Sequence, residues 1–438
     1  MRYFVLVFVL LTQLRAADLD GWPRWRGPYD NGVAKGDAPV EFSDTKNVAW
    51  KVKIAGRGFS SPVMWGDRIY LTTAIPLADP PPSSRQQGAG ARRGGPGGGS
   101  GSGIEHKFVV MCLSRKDGHV IWERTARTAT PHEGYHFRYG SFASNSPVTD
   151  GKRVYTFFGS RGVFVYDMDG KSLWQKDYEP MRMRLAFGEG TAAVLDGDKL
   201  ILNFDQEQNS HLDVLDASTG KRIWQVTRDE ESAWAAPLVI DYKGKKQLIT
   251  SATKRVRSYD LETGKLIWEC GGLGANVIPA PVVLGDVVYV MSGFRDPNLM
   301  AIRLDKTGDL TGTDAVLWQN KRGNSYTPSP VLHDGKLYFV SDNGMLSCLN
   351  AKTGEPYYQT RLPKPYNFKA SPVAANGRLY LSTEEGDVLV IKMGEKFEVL
   401  ATNVFADQSF ISTPAIADGE IYLRSQDTLY RIVNHGTH

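Results

Sequence analysis

Residues able to bind or react recur in small groups along this 438-residue chain. Arg57, Phe59 and Ser60 form one group, Phe142, Ser144 and Asn145 a second, and Phe187, Glu189 and Thr191 a third. Ser232 with Trp234, Asn276, Asn324 with Tyr326, Asn367 with Lys369, and Gln408 with Phe410 continue the series. Aromatic faces, amides and single charges suit a planar polar ligand or a peptide once a fold gathers them at one concavity. The ligand-binding candidates are therefore Arg57, Asn145, Glu189, Trp234, Asn276, Asn324, Tyr326, Lys369 and Gln408. No group joins a nucleophile to a base and an orienting partner, and the sequence contains neither Gly-x-Ser-x-Gly nor a Walker loop. No catalytic residue is assigned.

Metal and thiol chemistry have weaker support. His132 and His136 have a spacing that serves a metal only on a helix, and the Gly-containing stretch around them reads as a loop. Asp305, Asp309 and Asp314 lie among glycines and threonines, but their spacing is not that of a calcium loop. The polar run Asn203–Asn209 is a candidate recognition lip, and Arg228–Ser232 precedes Trp234 at the mouth of the fourth blade. Cys112, Cys270 and Cys348 suggest buried free thiols rather than a disulfide framework, and no metal site is assigned.

The elements that must position these groups repeat eight times. Each copy has a short apolar run beginning at or beside a proline, an Asn/Asp/Gly turn and an alternating strand, as in Ser-Pro-Val-Met-Trp-Gly-Asp-Arg-Ile-Tyr-Leu from Ser61. The anchors are Pro62, Pro147, Ala193, Pro237, Pro281, Pro330, Pro372 and Pro414. Most recur every forty-odd residues, the period of β-propeller blades. A third strand follows, then a turn ending in Gly, then an aromatic residue four positions on: Gly118 and Trp122, Gly170 and Trp174, Gly220 and Trp224, Gly264 and Trp268, Gly354 and Tyr358. These aromatics are expected to fill the gap between neighbouring blades.

Two copies depart from the pattern. The fifth inserts Asp309–Asp314 ahead of Trp318, and the seventh has no Trp. The eighth, Thr413 to Val433, has residues for three strands only, whereas Asn47–Ile54 alternates correctly and carries Trp50. The fold expected is all-β: an eight-bladed propeller of four-stranded antiparallel blades, its ring closed by the N-terminal strand, which removes two open sheet edges.

This pattern resembles the repeat of the pyrroloquinoline quinone (PQQ)-like propeller superfamily, over roughly Val48 to Val433. The opening Trp22-Pro23-Arg24-Trp25-Arg26-Gly27-Pro28 is similar to the start of exported bacterial proteins with PQQ-binding-like repeats. The superfamily includes quinoprotein alcohol and glucose dehydrogenases and a non-enzymatic propeller subunit of the outer-membrane β-barrel assembly machinery. The dehydrogenase resemblance implies PQQ and calcium, and in many such enzymes a disulfide between adjacent cysteines. This sequence has neither a Cys-Cys pair nor Cys-x-x-Cys-His. The expectation is a binding or scaffold module of the cell envelope with no cofactor. A PQQ- and calcium-dependent oxidoreductase and a glycan-binding propeller are the alternatives.

The formal charge is +4, with no basic face interleaved with aromatics, so nucleic acid is not an expected partner. Met1 to Ala17 reads as a secretory signal, with Arg2 ahead of the apolar run Tyr3–Leu11, so a periplasmic or secreted monomer without a membrane span is expected. Residues 18–46 read as an N-terminal extension and 47–434 as one propeller domain. The Pro/Gly/Ser/Arg-rich stretch 76–103 reads as a mobile insertion in the first blade, and 435–438 as a tail.

Overall fold

Alternation of apolar and polar residues over five to ten positions, broken by glycine turns, produces eight sheets arranged as the blades of a propeller. The computed structural model describes residues 21–78 and 101–434. The segment read as a secretory signal, the residues read as a tail and residues 79–100 of the stretch read as an insertion lie outside the described residues. Blade 1 consists, from the axis outward, of Val63–Trp65, Arg68–Pro76, His106–Ser114 and Val120–Ala129. The innermost strands of blades 2 to 7 begin at Val148, Val194, Leu238, Val282, Val331 and Val373.

Blade 8 has three strands from the C-terminal end of the chain, and Val48–Lys53 supplies its fourth. That strand pairs antiparallel with Thr428–Ile432, Trp50 opposite Arg431 and Val52 opposite Leu429. Two sheets carry a fifth, short strand. Gly308–Asp309, from the fifth-blade insertion, pairs parallel to the outer strand of blade 4, and Val33–Ala34 pairs parallel to the innermost strand of blade 7.

Five of the closing tryptophans, all but the fully buried Trp268, join one blade to the next in two ways. The Trp122 indole N–H donates to the Met168 carbonyl, Trp174 to Ala217, Trp224 to Leu261, Trp318 to Ala351, and Trp50 to Arg115 across the closure. The ring also lies against the next blade's turn glycine: a Cβ on Gly170, whose φ is +80°, would sit 2.7 Å from the Trp122 ring. The glycine thus serves the left-handed turn and the close approach together. Replacing Trp122, which is buried, with Ala is expected to cost about 3–5 kcal/mol, read as a lower denaturant midpoint with unchanged slope.

The Ser-Pro and Thr-Pro anchors have an equally specific use. The hydroxyl ahead of the proline accepts the backbone N–H of the corresponding residue one blade back: Ser146 from Ser61, Ser329 from Ala280, Ser371 from Ser329, and Thr413 from Ser371. The proline itself has no N–H to leave unpaired beside the axis.

The segment from Gly21 to Ala34 occupies the bore. Trp22, fully buried, exchanges two backbone hydrogen bonds with Met64 of blade 1, and the Thr149 N–H of blade 2 donates to the Pro23 carbonyl. Arg24 donates to the Leu195 carbonyl of blade 3, and Arg26 to the Pro330 and Pro372 carbonyls of blades 6 and 7. The Trp25 indole donates to Thr413 of blade 8. This stopper then leaves along blade 7, where Tyr380 donates to the Ala38 carbonyl and Asn403 clamps Val40 and Phe42, and continues into the closing strand. Among the described residues no helix is long and apolar enough to cross a membrane.

Candidate functional site

After its outermost strand, each blade sends the chain back across one face to the next inner strand. These returns surround a funnel of about 480 Å³ whose floor includes Trp25 of the stopper. The residues three positions before the eight anchors, Phe59, Ser144, Gly190, Trp234, Ile278, Thr327, Lys369 and Ile411, all line it. An extended chain turns alternate side chains the same way, so with the anchor's neighbour facing the axis the residue two before that neighbour faces it too.

Of the nine candidates, Glu189, Trp234, Asn276, Tyr326 and Lys369 line the funnel. Arg57, Asn145, Asn324 and Gln408 do not, because their positions turn them elsewhere. Arg57 donates to the carbonyls of Phe137, Arg138 and Gly140 and lies over the Phe59 and Tyr135 rings, so it clamps a rim loop. Asn145 is buried and donates to the Thr191 carbonyl of the next blade. Asn324 donates to Asn320, and Gln408 caps a turn through its backbone N–H to Phe405.

The sequence reading missed Trp25, His136, Tyr139, Arg184, Leu185, Phe294 and Arg295. His132 and His136 turn to different partners. His136 stacks on Phe137 and Tyr139 and meets Phe187 edge-on, while His132 turns to the Met181 carbonyl. Burial, then the charges of Lys369 and Arg138, lower the His136 pKa. The rim also holds non-glycine residues with left-handed backbone, Leu185 and Ala186 near +51° and Arg295 at +36°, an unfavourable conformation that the surrounding contacts must maintain.

The loops hold one another in place. The His136 N–H donates to Phe187, the Trp234 indole to Gly188, and the Arg184 N–H to the Ser232 hydroxyl. The Asn203–Asn209 run and the Arg228–Ser232 segment are largely structural: Asp205 and Arg228 form a fully buried ion pair, and Glu230 receives Arg257. Asp305 pairs with Arg303, and Asp309 with Arg255.

The funnel's carboxylates are already occupied. Glu189 accepts the Ser160 hydroxyl and N–H and faces Arg161 at 2.9 Å. Asp342, behind the wall, accepts the Tyr326 and Thr327 N–H groups, the Thr327 hydroxyl and Lys369. Calcium takes six to eight oxygens, largely from carboxylates and carbonyls, and this donor set does not fit one. Among the described residues no group of three or more His, Cys, Asp or Glu side chains is placed to hold a metal ion. The three thiols are buried on blades 1, 4 and 6, and burial pushes them up to about 12, 11 and 11. They therefore supply no thiolate and no adjacent pair.

A family model described as outer membrane protein assembly factor BamB matches residues 106–212, 208–311 and 302–396, well over half the chain. Tetrathionate hydrolase of Acidianus ambivalens is 28% identical over 116 residues, 23% of this chain and 22% of that protein. Outer membrane protein assembly factor BamB of Legionella pneumophila (strain Paris) is 24% identical over 221 residues, 48% of this chain and 51% of that one. The chain thus spans about a fifth and about half of the lengths of these curated relatives. Among solved structures, a europium-containing methanol dehydrogenase superposes with a TM-score of 0.66 at 10% identity, covering 93% of this chain and 89% of that one, a likeness of fold.

Proposed function

Because the chain belongs to the family described as outer membrane protein assembly factor BamB, we propose that it is a binding or scaffold propeller of the bacterial cell envelope. It engages a protein or other extracytoplasmic ligand at the funnel face, as a periplasmic or secreted monomer. The observation that carries this reading is the blind funnel: a rigid, aromatic-walled concavity closed below by the chain's own N-terminal segment. Its carboxylates are committed to holding loops, which suits recognition better than turnover.

The test compares capture of a crosslinked partner from the native envelope fraction by the wild-type protein and by Trp234→Ala and Tyr326→Ala. Buried aromatics carry a large share of interface energy, so each change is expected to weaken capture by roughly 30-fold while the melting temperature shows a folded protein. Equal capture by wild type and both variants would place the working surface elsewhere.

A further inference from the structure

One loop reaches across the ring instead of along it. The return from blade 1 to blade 2 carries His136–Gly140, a turn that closes on itself: the Gly140 N–H donates to the His136 carbonyl at 2.7 Å, the Tyr139 N–H to His136 Nδ1 at 3.3 Å, and the imidazole stacks on Phe137 and Tyr139. A loop packed by its own side chains in this way moves as one body. Its near side is held by adjoining returns. Arg57, ahead of blade 1, donates to the Phe137, Arg138 and Gly140 carbonyls, and the Phe187 carbonyl, ahead of blade 3, accepts the His136 N–H.

Its far side meets blade 7, from which it is separated round the ring by blades 8 and 1. There Arg138 pairs with Glu384 at 3.0 Å, and the Lys369 ammonium lies 4.4 Å from the centroid of the Tyr139 ring. Neighbouring returns touch along the rim, but units this far apart on a closed ring meet only across its mouth. The two sides are unequally fastened. The near side has four hydrogen bonds, the far side one ion pair whose arginine is 55% exposed and one ring contact. Glu384, by contrast, is buried, and its Oε1 has no hydrogen bond: Lys369 is 3.9 Å away and already held by Asp342 at 2.5 Å. Burial holds the Glu384 carboxyl above its ordinary pKa, with Lys369 and Arg138 opposing. A buried carboxylate needs a close counter-charge, and the closest one Glu384 has comes from the loop.

We propose that His136–Gly140 is a strap over the funnel mouth, pivoting on Arg57 and the Phe187 carbonyl and latched to blade 7 by Arg138 on Glu384, so that release of this pair admits an occupant. Tyr139 and Gly140 line the funnel, and Ile411 of the blade 8 return lines the sector that the strap spans. This inference rests on the reading that the funnel is the working face.

The test is the rate at which a maleimide labels Ile411→Cys in the full chain. The native thiols are silent because they are buried and their pKa values are pushed up to about 11 and 12. Adding Glu384→Gln, or Arg138→Gln, is expected to speed labelling about tenfold, the weight of one charge-assisted contact, at an unchanged melting temperature. Arg138→Lys keeps the charge and is expected to label at close to the parent rate. The Gln variants change the local charge in opposite directions, so an effect on the thiol's ionisation alone would have opposite signs. Raising the salt is expected to speed labelling of the parent and to leave the Arg138→Gln variant unchanged. Equal rates in the parent and both Gln variants, or shifts of opposite sign, would overturn the proposal. Should Glu384→Gln not fold, the exposed Arg138 variant decides the matter alone. A gated funnel whose partner capture ignores Trp234→Ala would sink the scaffold reading only, and an ungated one with capture lost in that variant would sink the strap only.

Discussion

A chain that begins at Ile54 is expected to lose its cooperative thermal transition and to associate. Removing Gly21–Lys53 strips blade 8 of its outer strand and takes away Trp50, which donates to Arg115 and covers Gly118. It also empties the bore of Trp22 and of Arg26, whose guanidinium is fully buried and pushed down to about 9 by that burial. The edge of Thr428–Ile432 would then present unpaired backbone groups, the usual template for strand addition. Sedimentation and circular dichroism check the outcome, and a monomer with a sharp transition near that of the full chain would show that ring closure does not depend on this segment. Trp50→Ala isolates the latch from the stopper and is expected to lower the midpoint while leaving the protein monomeric.

The second large effect lies between blades 3 and 4. Arg228 donates through Nε to Asp205 at 2.7 Å and through a terminal nitrogen at 3.1 Å, and its other terminal nitrogen reaches Thr250 and Tyr259. Both charged side chains have no exposed surface. Arg228→Met leaves the Asp205 carboxylate buried without its counter-charge and is expected to cost about 3–5 kcal/mol, read from denaturant unfolding. The double change Arg228→Met with Asp205→Leu is expected to recover most of that loss, since no isolated charge is then left behind. A single-variant loss under about 1 kcal/mol would mean that water reaches the carboxylate.

The blades were readable from sequence because each is local: a turn glycine, a strand alternation and a closing aromatic lie within forty-odd residues. The missing fourth strand of blade 8 was readable for the same reason, since an unfilled position and the Trp50 segment each showed their half of the match. The funnel was readable only in part. Polar residues ahead of each inner strand point either to the axis or sideways to the next blade, and parity decides which: Ser144 faces the funnel, while Asn145 beside it reaches Thr191. Counting back three residues from each anchor recovers one lining residue per blade. Trp25 and Arg295 were invisible to that logic. The first arrives from a segment outside the repeats, and the second stands on a hairpin loop of blade 5 that bends over the mouth.

Because Trp25 is secured by Thr413, the bottom of the cup is built from two segments 388 positions apart in the sequence. A polypeptide cut short just before Thr413 leaves the Trp25 indole without its acceptor, although Trp22, Arg24 and Arg26 keep theirs on the other blades. The floor that meets a ligand is therefore whole only where both segments are in place, and it reports on the closure of the ring as well as on the funnel itself.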